Sequence, residues 1–210
     1  MFGPPLCAMP WSGEGRAVFA TDQLAATLTR MVDFDRLNDG PCRYTATAVD
    51  LACGDDVVFD SRERRIGPEH IRASAALPVT FPSVEVDGRL IVDGGLSANL
   101  PLDPVLDEPP ARTTVVIAVD LLPLRQPLPM TLSEMAGRMQ DLTFAAQSRR
   151  SIARWRVAYA DRTDVSVTLL RLSYDEQGVE VAGKAMDFSG PTIEHHGGPV
   201  SPSAMKQLQG

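Results

Sequence analysis

Residues 71–106 read IRASAALPVTFPSVEVDGRLIVDGGLSANLPLDPVL. Within them Ser83-Val-Glu-Val86 and Arg89-Leu-Ile-Val92 flank Asp87-Gly88, two residues that accept positive φ and so favour a two-residue hairpin turn. The second arm delivers a carboxylate, Asp93, at a strand end. Gly94 and Gly95 follow it and, lacking Cβ atoms, let another backbone or side chain approach closely. Upstream, Pro68 suits a first helical position, which predicts a short helix over 69–76, and the pairs Leu77-Pro78 and Phe81-Pro82 end it.

Working outward, Thr21 or Asp22 is an N-cap for a helix whose apolar residues Leu24, Ala25, Leu28, Met31 and Val32 recur at helical spacing. Residues 43–52 and 57–60 suit two strands joined by Cys53-Gly-Asp-Asp56, a turn-forming run. Downstream, 113–121 is a nearly continuous β-branched apolar run, as expected of a strand buried on both faces of a sheet. Thr131-Leu-Ser-Glu134 has capping-box spacing, and periodicity through Met135, Met139, Leu142, Ile152 and Trp155 predicts a helix to about residue 160. Met130, Met135, Met139 and Trp155 read as core packing rather than as a lipid-facing stripe. Residues 165–174 alternate like a strand, Gln177-Gly178 is a turn, and 179–182 can pair back. The first fifteen residues, rich in Pro and Gly, read as loop, and the tail around His195 and His196 is expected to be poorly ordered. The implied fold class is α/β, a mixed, largely parallel sheet flanked by helices.

The 210 residues carry 20 basic and 27 acidic side chains, a net charge of -7 that disfavours nucleic acid as a partner. Arg149, Arg150, Arg154, Arg156 and Arg162 are the local exception, read first as a solvated helix face and second as a face for phosphates or lipid headgroups. Cys7, Cys42 and Cys53 make neither an even disulfide set nor a metal spacing, which fits a reducing compartment. The N-terminal residues have no basic start and no apolar core of a signal peptide, and the longest β-branched run, 115–119, is too short to span a bilayer. A cytoplasmic protein, peripheral to a membrane at most, is the expectation.

Ala73-Ser-Ala-Ala-Leu-Pro78 with Phe81-Pro82, then Asp87-Gly88, Val92-Asp-Gly-Gly95 and Asn99-Leu-Pro101, closely resembles the C-terminal part of the patatin-like phospholipase domain. Flanking pieces, Leu28 to Asn38, Thr47-Ala-Val-Asp50, Phe59-Asp60, Glu69-His70 and more loosely Lys184 to Ser189, fit the bacterial patatin-like subgroup with an extra C-terminal region. The resemblance implies a lipid acyl hydrolase working through a Ser-Asp dyad without a catalytic histidine, metal or cofactor. Its serine would sit in a Gly-x-Ser-x-Gly elbow, behind a glycine-rich loop that supplies oxyanion donors. Asp93 matches the dyad aspartate, Gly94 and Gly95 the rest of its motif, and Asn99 and Pro101 the loop that follows. The same resemblance divides the chain into 1–125, the patatin-like part, and 126–210, an extension.

Neither the elbow nor the glycine loop is present in these residues. Trp11-Ser12-Gly13-Glu14-Gly15 has Pro10 and Glu14 where the elbow needs glycines, and Gly95-Leu-Ser97-Ala-Asn99 has Asn for the second glycine. No nucleophile is therefore assigned. A strand, elbow and helix need about 30 residues or more, which the opening loop cannot supply. The chain reads as N-terminally truncated and inactive by itself. A lipid or acyl ester is the expected partner, with self-association through an exposed sheet as a consequence of the missing strands. His70 reads as structural, and His195-His196 lacks the acid or cysteine pattern of a metal site. Two alternatives stand beside this: a non-catalytic lipid-binding or protein-binding remnant of the same fold, and an unrelated α/β module in which Asp-Gly-Gly is only a turn.

Overall fold

The computed structural model describes residues 17, 19–122 and 126–173 and a short strand at 205–206. They form two compact units, divided between Ala98 and Asn99. The opening loop with Ser12 and Cys7, the 177–182 segment, Lys184 to Ser189 and the His195-His196 tail lie outside the described residues.

The first unit begins with α1 (Asp22–Met31) and α2 (Phe34–Asp39). The second of these was not foreseen. Asp33 caps it by accepting the Arg36 N–H at 2.9 Å, and Asn38 ties it to a distant segment, donating to the Ile66 carbonyl and accepting the Ile66 N–H. Strands β1 (Thr45–Asp50) and β2 (Asp56–Asp60) pair antiparallel, α3 (Pro68–Ser74) follows, and β3 (Val84–Val86) and β4 (Arg89–Asp93) form the second hairpin. Asp87 and Gly88 adopt φ of 52° and 73° in its turn, the left-handed pair that a two-residue hairpin requires. Because β4 also pairs antiparallel with β1, the sheet order is β2-β1-β4-β3. Its core gathers Phe59, Ile66, Ala73, Val84 and Ile91. Gly95–Ala98 closes the unit as α4.

His70 is buried in this core, edge-on to Phe59, and its Nδ1 accepts the Gly67 N–H at 2.8 Å. Burial pushes its pKa below the ordinary histidine value, so the neutral ring is favoured. The loop after α3 contains Val79 at φ 72°, a left-handed conformation that a β-branched residue seldom adopts.

The second unit holds α5 (Asp103–Leu106), β5 (Thr114–Asp120), α6 (Leu132–Ala160), β6 (Val167–Ser173) and β7 (Met205–Lys206), with sheet order β5-β6-β7. The Thr131–Glu134 capping box starts α6, the Thr131 hydroxyl accepting the Glu134 N–H. A 29-residue helix bridges β5 and β6, long enough for the crossover that their parallel pairing demands. The fold is thus mixed α/β. Parallel pairing among the described strands is confined to β5 and β6, since every other pair is antiparallel.

Two expectations about burial change. Val116, Ala118 and Asp120 of β5 point inward, Val116 meeting Leu102, Leu106 and Ile152, whereas Val115, Ile117 and Val119 are 58%, 60% and 55% exposed. The strand is covered on one face, because the described elements supply one helical layer and no second. Met130, Met135 and Met139 are likewise exposed rather than core, because the buried side of α6 is made by Asp141, Ala145, Ser148 and Ile152. Trp155 does pack, against the Leu102 and Leu106 cluster, and its indole N–H donates to Asp103 at 2.7 Å.

Candidate functional site

The end of β4 is where three elements of the first unit converge. Asp93 stands opposite Ala48 of β1, and its backbone N–H donates to the Ala76 carbonyl just past α3, at 3.1 Å. One side-chain oxygen, Oδ1, accepts the Gly95 N–H at 2.7 Å. Gly95 is the first residue of α4, whose turn is closed by the Ser97 and Ala98 N–H groups donating to the Gly94 carbonyl. The carboxylate is therefore fixed at one oxygen by the backbone that follows it, and the other oxygen has no protein partner among the described residues.

Burial raises the Asp93 pKa above the ordinary carboxylate value, with the Gly95 hydrogen bond opposing. A carboxylate so placed accepts a proton more readily than one in water, which suits a general base. Geometry leaves it without a proton donor: no serine, threonine or histidine among the described residues hydrogen-bonds it. Ser74, on α3, donates its hydroxyl instead to the Thr47 carbonyl at 2.7 Å.

Gly94 is buried, and the reason for its identity is steric. A Cβ there would meet the Thr47 carbonyl oxygen at 2.4 Å and the Thr47 hydroxyl at 2.7 Å. In the sequence Thr47 belongs only to a flanking segment, and its role as the wall that excludes a side chain at position 94 appears once β1 and β4 are paired. Ala76 is a second such residue, since its contribution is a carbonyl that any sequence would supply.

Asn99 falls in the second unit, where its N–H donates to Gln147 at 3.0 Å and its side-chain amide to the Ser148 hydroxyl at 3.3 Å. Ser97 is exposed on α4. Of the arginines, Arg154 pairs with Asp103 and lies over the Trp155 ring, Arg162 pairs with Asp164, and Arg149, Arg150 and Arg156 are exposed, in keeping with a solvated face. Cys42 and Cys53 are exposed free thiols. Among the described residues no group of three His, Cys, Asp or Glu side chains could hold a metal ion, and no helix is long and apolar enough to cross a membrane.

Residues 11–106 match the family model of the patatin-like phospholipases. Similar curated proteins are an uncharacterised NTE family protein of Mycobacterium bovis and two from Mycobacterium tuberculosis strains, each 38% identical over 112 residues. That alignment takes in 50% of this chain and 29% of each relative, so the chain spans less than a third of their length.

Proposed function

Residues 11–106 are patatin-like phospholipase sequence, a lipid-hydrolase family, and from that premise we propose that Asp93 is the base half of a Ser-Asp dyad. The complete enzyme hydrolyses carboxylic esters of lipids, and its serine and oxyanion donors come from sequence beyond these 210 residues. The serine hydroxyl attacks the ester carbonyl as its proton passes to Asp93; the leaving alcohol then takes that proton, and water hydrolyses the acyl-serine by the same route. In this reading 1–125 is the patatin-like part and 126–210 its extension, Gly94 and Gly95 shape the turn after the base, and Asn99 braces the loop beyond it. Reducing surroundings suit the two exposed thiols, with lipid met at a membrane surface.

The observation that carries the proposal is the Asp93 carboxylate itself: half-buried, raised in pKa, held at one oxygen by Gly95 and unengaged at the other. By itself the 210-residue chain is expected to leave a short-chain nitrophenyl ester untouched. A longer version with an in-frame Gly-x-Ser-x-Gly should hydrolyse it and lose that activity in Asp93→Asn. Asp93-dependent hydrolysis by the 210-residue chain would overturn the reading.

A second reading, a non-catalytic binding remnant, is favoured by the exposed Val115, Ile117 and Val119 and by exposed Leu132, Met135, Met139 and Leu142 along α6. A monomeric protein that stays in the supernatant with phosphatidylglycerol vesicles would remove it.

A further inference from the structure

The first unit contains a small pocket of about 70 Å³ between the start of α1 and the loop that follows α3. Leu24, Ala76, Phe81 and Pro82 give it an almost wholly carbon lining, into which Thr21 and Arg72 bring the polar atoms. Arg72 is unusually provided for. One terminal nitrogen donates to the Thr21 hydroxyl at 3.2 Å, its Nε is shut off from solvent with no acceptor, and no carboxylate among the described residues pairs with it.

A guanidinium is always charged and offers five N–H donors in a planar fork. Seating it against hydrocarbon with an unmet donor is costly unless something returns the hydrogen bonds. Water can do so in part; a planar oxyanion does so better, because two oxygens match the fork. The apolar walls add a second requirement, that the anion carry hydrocarbon. A single cation and a net charge of -7 favour a monoanion over a phosphate dianion. The pocket is also next to the dyad base, for the Ala76 carbonyl that accepts the Asp93 N–H belongs to a residue of its wall.

We propose that this pocket binds the carboxylate end of a fatty acid, Arg72 taking the two oxygens and Leu24 and Phe81 the first methylenes of the chain. Its volume is well short of a pocket that encloses a whole ligand and suits the carboxylate head with the first carbon or two, the rest of the chain leaving through the mouth. That the acid is the product of ester hydrolysis rests on the function proposed above; the preference for an alkyl carboxylate does not.

The test titrates the 210-residue protein with octanoate, octanol and inorganic phosphate, by calorimetry and by thermal unfolding. Octanoate should bind and raise the melting temperature, while octanol, lacking charge, and phosphate, lacking a chain, bind at least about tenfold more weakly. Arg72→Gln should weaken octanoate by about tenfold or more. Since that variant can lose stability, Leu24→Glu serves as a second: it places a carboxylate beside Arg72, so the fold is kept or stabilised while octanoate binding is lost. Because these titrations read binding and not turnover, failure of the pocket is separate from failure of the dyad, which only ester hydrolysis by the longer version reads. Equal affinity for octanoate and octanol, phosphate binding as well as octanoate, Arg72→Gln without effect, or no octanoate binding by a cooperatively melting protein would each overturn the proposal.

Discussion

Gly94→Ala tests whether the β1–β4 pairing sets the site. The added Cβ would lie 2.4 Å from the Thr47 carbonyl oxygen, and real Cβ atoms do not come closer than 3.0 Å, so the two strands must part by at least 0.6 Å. The obstacle is backbone in the middle of a paired strand, where nothing can rotate away, and Thr47 is also fixed by the Ser74 hydroxyl. Overpacking of this kind costs about 1–3 kcal/mol. For a unit of this size, that is roughly 5–20 °C in melting temperature. Followed by circular dichroism, Gly94→Ala should melt lower by that amount, and adding Thr47→Ala should not restore it, because removing the hydroxyl at 2.7 Å leaves the carbonyl in place. Recovery in the double variant would mean that the side chain, not the strand spacing, excludes a residue at 94. Unchanged melting of Gly94→Ala would refute the close approach altogether.

Three further outcomes follow from the same structure. Val79→Gly removes a β-branched residue from φ 72° and should raise the urea midpoint by about 1 kcal/mol equivalent, relief of strain exceeding the entropy that glycine adds to the unfolded chain; a lower midpoint would contradict the strained backbone. Asp60, buried against Arg43, has its pKa held below 3.8 by that hydrogen bond, so its stabilisation is complete above the unfolded value and is lost as the pH falls through the lower folded one. Arg43→Met should cost about 3 kcal/mol at pH 7 and flatten the acid limb of the stability curve; an unchanged limb would assign it to other carboxylates. Asp93 shifts the other way: its folded pKa lies above 3.8, so the folded state binds the extra proton and stability declines as the pH rises through that window. Asp93→Asn should therefore melt higher than the native chain at pH 7 and no higher below pH 3.8, and a native chain more stable than Asp93→Asn at pH 7 would show that the carboxylate is held by more than the Gly95 N–H.

What the sequence made legible is what adjacent residues decide among themselves. Asp87 and Gly88 announce a hairpin because few other pairs tolerate two left-handed residues, and Thr131 with Glu134 announce a helix start because each side chain satisfies the other's backbone. The six-residue α2 escaped because its support is remote: Asn38 is anchored to Ile66, 28 positions away. The same blindness misplaced Met135 and Met139, since helical spacing says which residues share a face and not whether that face meets anything. It also overstated β5, where an unbroken apolar run promised two covered faces and the described residues provide one.

The candidate site divides along the same line. Every contact that holds Asp93 comes from residues 47–95: the Thr47 wall, the Ala76 carbonyl, the Gly94 close approach and the Gly95 N–H. A carboxylate held by one antiparallel sheet, the residue just past α3 and the turn after β4 needs nothing outside that span to be in position. That independence is why the Asp-Gly-Gly motif is recognisable from a short stretch of sequence, and why a nucleophile for the proposed dyad has to be sought by its own local signature, a strand-to-helix elbow between two glycines.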